Sequence, residues 1–398
     1  MDIVKVPGSE LEQRMIHFIR EMDRTYDAWE LCAITGASGL FYLTGTICDG
    51  MLLIRRGGDA TLWVRRSYER SVLESEFADI RRMSGFRDVA NAIGPLPDTL
   101  YLDTAHATLE WYGLLSRYMS FSNVLSVDGV MFKTRSVKSE YELDRMRWAG
   151  RAIDRLLMVE LPLLMRDGVS EAELGAELLA LFIKNGHHGV SRFNMRNNSE
   201  LLGHIAFGDS PLFPGMFNGA SGIAGLCPAI PALGSFARIL RAGDLIFIDV
   251  CFGVEGYNVD KTLIYSYKGR QPEYINEAHR HCLELERLAA SLMCPGMKPS
   301  EIYEKVLASV RPEFELRFMG VPGRTVPFIG HSVGISVDET PVIAKGFDVP
   351  IERGMTIAIE PKMGFDGIGM VGSENTYLVT DTGGVSLTGE PSDIINVY

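Results

Sequence analysis

Residues 243–265, GDLIFIDVCFGVEGYNVDKTLIY, hold two apolar runs around a turn, and each run carries one aspartate. Asp249 closes a short apolar strand behind Ile246, Phe247 and Ile248, and Asp260 follows in a second strand-like segment. A hairpin brings the two together. The pair alone also fits a structural account in which Asp260 caps a turn and Asp249 is hydrogen-bonded inside the sheet. Yet an ionised carboxylate among such neighbours is costly to bury unless a cation or several donors meet it.

Further along the chain, FIGHSVGISVDETP at 328–341 places His331 between glycines that permit a close backbone turn. Glu360 lies in GMTIAIEP at 354–361, and Glu374 in VGSENTYLVT at 371–380. Both glutamates stand in apolar strand contexts where the residue is unusual. Asp249, Asp260, His331, Glu360 and Glu374 make four carboxylates and one imidazole, and the four negative charges balance two divalent cations. Oxygen-rich ligation with one nitrogen suits Mn²⁺, Co²⁺, Fe²⁺ or Zn²⁺ and does not choose among them. Two such ions activate a shared water and stabilise the oxygens of a tetrahedral intermediate, so the expected chemistry is hydrolysis of an amide-like bond.

The chain has 398 residues, more than one compact core usually supports; its composition is ordinary for a folded soluble protein, and the alternation of helical and strand signals along it gives an α/β (α+β) class. A net charge of −12 disfavours nucleic acid and anionic membrane surfaces as partners. No apolar stretch reaches the roughly 20 residues needed to span a bilayer. The start, MDIVKVPGSELEQRM, has no apolar signal core, and a cytoplasmic location is expected. The six cysteines show no CxxC pair, which argues against a zinc knuckle or disulfide framework; Cys251, two positions after Asp249, is read as a packing residue.

Two domains are expected, residues 1–137 and 138–398. In the first, an amphipathic stretch near 10–24 precedes the apolar runs LCAITG, FYLTG, MLLIRRG and TLWVRR, with TLYLD at 99–103 as a further strand candidate. Gly57, Gly58 and Asp59 mark a hairpin or short loop. In the second, a helix begins at Glu140, and Ser170 with Glu173 forms a capping box that opens another. The Gly- and Pro-rich residues 203–234 predict irregular loop, with a hairpin at most. Helices are expected near 272–293 and 300–310, then strands after Pro322.

The order Asp249, Asp260, His331, Glu360, Glu374 with these surroundings resembles the pita-bread family of methionine aminopeptidase, aminopeptidase P, prolidase and creatinase. RSVKSEYELDRMRWAG at 135–150 resembles the entry to its catalytic domain, and FYLTG the small N-terminal domain of prolidases and creatinases. The resemblance implies Asp249 and Asp260 on one metal, Asp260 and Glu374 bridging, and His331 and Glu360 on the other. It also implies an Xaa-Pro peptidase type of activity on a small peptide or peptide-like substrate, and a homodimer. Three positions depart from the pattern. Asp338 stands where peptidases of the family carry a histidine. Gly215, after Pro214, stands where they carry another, and Gly372 replaces an arginine usual in the prolidase-like branch. His204 is a candidate replacement imidazole, and Asp338 a candidate base or binder of a cationic substrate group. These changes keep two alternatives open: a non-peptidase enzyme of the same fold, such as a creatinase-like C–N hydrolase or a dimethylsulfoniopropionate lyase-like enzyme, and a non-catalytic binding protein.

Overall fold

The structure is a computed structural model that describes residues 3–194 and 199–398. The chain packs as two units, Met1–Arg135 and Ser136–Tyr398. In the first, six strands form one mixed sheet: β1 (Leu31–Ile34), β2 (Asp49–Arg55), β3 (Ala60–Arg66), β4 (Ile80–Arg82), β5 (Thr99–Leu102) and β6 (Asn123–Ser126), in the order β4-β3-β2-β1-β5-β6. Hairpin β2–β3 turns at Gly57, Gly58 and Asp59, where Gly58 takes the left-handed φ of 96° that the turn requires. Leu31, Met51, Leu53, Trp63 and Leu100 build the core on one face of this sheet. The run FYLTG reads as a strand but folds as the end of a helix, Ala37–Thr44. Gly36 precedes this helix and Gly45 ends it with φ 71°, a glycine stop that outweighs the β-leaning aromatics inside.

The second unit opens with α1 (Glu140–Arg155), capped by Ser139 and Glu142, and α2 (Glu171–Lys184), capped by Ser170 and Glu173 as the sequence predicts. Each box satisfies backbone donors at both residues, worth about 1 kcal/mol per cap. The main sheet runs β11-β10-β12-β15-β9-β8-β7, where β7 is Gly203–Phe207, β8 Leu245–Val254, β9 Tyr257–Tyr267, β10 Phe328–Ser332, β11 Glu339–Ala344, β12 Thr356–Ile359 and β15 Glu374–Thr380. All six pairings along it are antiparallel. A smaller sheet contains the hairpin β13 (Lys362–Phe365) and β14 (Gly369–Gly372). Helices α3 (Glu273–Leu292) and α4 (Pro299–Ala308) follow β9.

The reading of 203–234 as loop fails at its start, because Gly203–Phe207 pairs with β8 along its length. Its side chains His204, Ile205, Ala206 and Phe207 are all buried. Phe247 and Ile264 belong to the core that includes Cys282 and Leu285 of α3. On β8 and β9 they share the alternation of Asp249 and Asp260, so an apolar core runs up to the carboxylates.

Candidate metal centre

Strand register assembles the site. Along β8 and β9, Asp249 faces Thr262 and Cys251 faces Asp260, so period-2 alternation puts all four side chains on one face. Thr262 in turn pairs with Glu374 at the start of β15 and donates a 2.8 Å hydrogen bond to its Oε2. His331 on β10 pairs with Ala358 of β12. The β10–β11 register shifts on both sides of His331, an irregularity of the kind that re-aims a side chain. Glu360 lies just past β12, where its backbone N–H donates to the carbonyl of Ile329 at 2.9 Å.

All five residues singled out as ligands line one cavity of about 270 Å³. His331 Nε2 lies 3.5 Å from Glu360 Oε1 and 3.9 Å from Glu374 Oε1. Among the described residues, Asp260, His331 and Glu374 offer one ligand atom each, all within 4.8 Å of one another. Asp260 Oδ1 is buried and has no hydrogen-bond partner. A buried orphan acceptor is expensive, and a cation between these three groups relieves it. One oxygen–oxygen–nitrogen donor set therefore fits a divalent ion.

Sequence reasoning missed Lys362. Its ammonium donates to Asp249 Oδ2 at 2.9 Å, Glu360 Oε2 at 2.8 Å and Glu374 Oε2 at 2.8 Å, and its side chain is 2% exposed. Three donors meet three carboxylates, so no ammonium proton is left over. The signal was present in IEPKM: a lysine next to a proposed ligand in an apolar strand is as anomalous as the glutamate beside it. Counting it changes the charge arithmetic, because one of the four negative charges is already offset within the protein.

The electrostatics follow. Burial opposes the charge on Lys362, but Asp249, Glu360 and Glu374 overcome it and hold the lysine firmly protonated. Burial pushes Asp249 up, and the attraction of Lys362 and then His204 outweighs it, leaving the carboxyl below its usual range. Asp260 rises to about 6 through burial and the repulsion of Asp249. Glu374 rises well above the carboxylate range through burial and Asp260. The half of the site nearest Lys362 is compensated, while the half holding Asp260 is short of positive charge.

His204, on β7 opposite Asp249, lines the same cavity. Its Nδ1 is 3.3 Å from Ser221 Oγ, which donates to Asp249 Oδ2 at 3.3 Å, and its ring stacks on Phe217 with centroids 5.0 Å apart. Burial lowers its pKa to about 4, with only partial opposition from Asp249, so the imidazole is neutral at pH 7. Its Nε2 is buried without a partner. Asp338 also lines the cavity, and its Oδ1 accepts the backbone N–H of Asn194 at 2.5 Å. Cys251 is buried in the wall. Gly215 lies one step outside, against Ser221 and Gly222. Gly372 is the cross-strand partner of Lys362, and its φ of 149° brings it so close that a Cβ there would stand 2.8 Å from the Cα of Lys362. The nearest atom is the backbone carbonyl oxygen of Pro361 at 2.3 Å, so the close strand approach itself leaves no room for a side chain at 372.

Comparison with known proteins agrees with this geometry. Probable dipeptidase PepE of Mycobacterium bovis is 29% identical over 276 residues, which cover 69% of this chain and 64% of that protein's length. The Xaa-Pro dipeptidase of Pyrococcus furiosus is 25% identical over 385 residues, 95% of this chain and 98% of the relative. In fold, the prolidase from Pyrococcus horikoshii OT3 superposes with a TM-score of 0.78 at 23% identity, over 96% of this chain and all of that one. The family profile of metallopeptidase family M24 matches residues 144–381, a span that contains Asp249, Asp260, His331, Glu360, Lys362 and Glu374 and most of the sheet that converges them. With more than half of its length matched, and with the pita-bread architecture of prolidases around this cluster, the chain belongs to metallopeptidase family M24.

Proposed function

We propose that the protein hydrolyses an amide bond of the Xaa-Pro dipeptidase type in a short peptide or peptide-like substrate, using a divalent ion held by Asp260, His331 and Glu374. The observation that carries this reading is the convergence of those three groups in one cavity, with an unpartnered carboxylate oxygen on Asp260 among them. When bound, the ion supplies Lewis acidity that polarises an amide carbonyl and activates water. The protein's own groups do the rest. A cavity of about 270 Å³ lies near the lower end of the usual ligand-pocket range of roughly 300–1,000 Å³, which suits a small substrate. Phe193, Phe217 and Phe328 in its wall offer apolar contact for a ring such as proline's. Neutral His204 offers Nε2 to a substrate polar group. Metals of the Mn²⁺, Co²⁺, Fe²⁺ and Zn²⁺ class fit this donor set.

Asp338 supports a narrower reading of the substrate. When ionised, a carboxylate only accepts hydrogen bonds, whereas the histidine found there in peptidases of the family donates one. It therefore repels a developing oxyanion and attracts an ammonium, such as the free N-terminus of a dipeptide. The same feature favours the second reading, a non-peptidase C–N hydrolase or lyase acting on a cationic small molecule. Incubation of metal-loaded protein with Xaa-Pro dipeptides, N-acetylated Xaa-Pro controls and cationic amides separates them. Release of proline from free dipeptides but not from acetylated ones supports the peptidase, and turnover confined to non-peptide amides replaces it. The homodimer implied by the resemblance is also part of this proposal; a monomeric mass by light scattering removes it.

A further inference from the structure

Lys362 occupies the corner of the site bounded by Asp249, Glu360 and Glu374, hydrogen-bonded to all three at 2.8–2.9 Å. It is held there by more than those contacts. Its Cα lies on β13 against Gly372, where the absence of a Cβ makes the approach possible. Its Nζ lies 5.8 Å from the ring centroid of Phe247. A buried, fully satisfied ammonium has no solvent to retreat to, and a divalent ion seated among the same three carboxylates would face it at contact distance in a low-dielectric pocket. The opposite corner contrasts with it. Asp260 Oδ1 is unpartnered, and His331 Nε2 is 3.9 Å from the Glu374 oxygen that Lys362 does not bind.

We infer that Lys362 is a built-in substitute for one of two cations, so that the centre takes a single divalent ion, on Asp260, His331 and Glu374, while the lysine supplies the one positive charge that Asp249 and Glu360 share. Four carboxylates thus meet one ammonium and one ion. Asp249 becomes an ion-pair partner of the lysine, and Glu374 is shared between the ammonium through Oε2 and the ion through Oε1. The inference rests on the metal-dependent reading above and goes beyond it in the number of ions and in the role of Lys362.

The test uses the full chain stripped of metal by chelator and titrated with Mn²⁺, read by calorimetry, by metal analysis after gel filtration and by electron paramagnetic resonance. The wild type is expected to hold one Mn²⁺ per chain with the six-line spectrum of an isolated ion. Lys362→Ala, which frees the corner, is expected to hold two, with a spectrum broadened by coupling between ions about 3.5–4 Å apart. Two ions in the wild type, or a coupled spectrum there, overturn the inference and leave the hydrolase reading standing. One ion in both proteins also overturns it, since the lysine would then not be what excludes the second. No bound ion in the wild type removes the metal-dependent reading itself. Should Lys362→Ala not fold, the wild-type stoichiometry and spectrum decide alone.

Discussion

Lys362→Met keeps most of the stem volume and removes the charge, so in metal-free protein it reads what the ammonium contributes to the fold. Its three hydrogen bonds, 2.8–2.9 Å long and all to carboxylates, are of the charge-assisted kind worth about 1.5–3 kcal/mol each. Simple addition overstates the loss, because burying the ammonium itself has a cost, and the abandoned carboxylates can take up protons. Breaking a buried ion pair by removing one partner costs about 3–5 kcal/mol, and that is the expected magnitude here. For a unit of the size of Ser136–Tyr398, 1 kcal/mol corresponds to roughly 2–4 °C in Tm, so the metal-free variant should melt about 6–20 °C below wild type. Divalent ion should then stabilise the variant more than the wild type, each site contributing about 2.7 kcal/mol at a hundred times its Kd. The assay is calorimetric unfolding of both full-length proteins, in chelator and in excess Mn²⁺. A variant that melts within about 2 °C of wild type in chelator would show that the ammonium is not the counter-charge the geometry makes it.

Two other perturbations follow from the same structure. Asp338→Asn removes the acceptor-only group in the cavity wall but keeps its shape; kcat/KM on a free dipeptide should fall by at least tenfold with ion content unchanged, and full retention of kcat/KM would show that Asp338 does not read the substrate's charge. In the first unit, Asp103 is buried between the Thr35 and Gly36 backbone donors, and burial raises its pKa from 3.8 to about 6. A raised folded-state pKa means that the folded protein binds this proton more tightly than the unfolded chain. The associated stability is therefore present below about pH 4 and lost as pH rises through 6. Relative to wild type, Asp103→Asn should gain roughly 3 kcal/mol between those limits, measured as the difference in urea unfolding free energy of the full chain; a difference that does not change with pH refutes this.

How far the sequence reveals the site depends on the cost of burying charge. Asp249, Asp260, Glu360 and Glu374 stand out because carboxylates in apolar strands demand compensation, and the five expected ligand residues do line one cavity. The same rule applied to Lys362 would have found the compensation, but a count confined to acidic groups and histidine leaves it out. Local chemistry was readable where it is self-contained, as at the Ser170–Glu173 box and the Gly58 turn. It failed where tertiary pairing overrides composition. Residues 203–207 sit in a Gly- and Pro-rich region, yet their backbone completes β8 and sets His204 opposite Asp249. FYLTG has strand-forming aromatics but lies in a helix that Gly36 precedes and its own Gly45 ends. Lys362 sits opposite Gly372 across the hairpin, a pairing that a single sequence does not display.

The central claim is that a divalent ion on Asp260, His331 and Glu374 is what makes this chain a hydrolase. The most direct measurement pairs ion content with turnover of the substrate found in the panel, for wild type, Asp260→Ala and Glu374→Ala, each dialysed against chelator and reloaded with Mn²⁺. The account predicts that wild-type activity returns in proportion to bound ion, and that both variants stay folded by circular dichroism yet bind less than a tenth as much ion and show no turnover. Full activity in chelator, or full ion content in either variant, would contradict it.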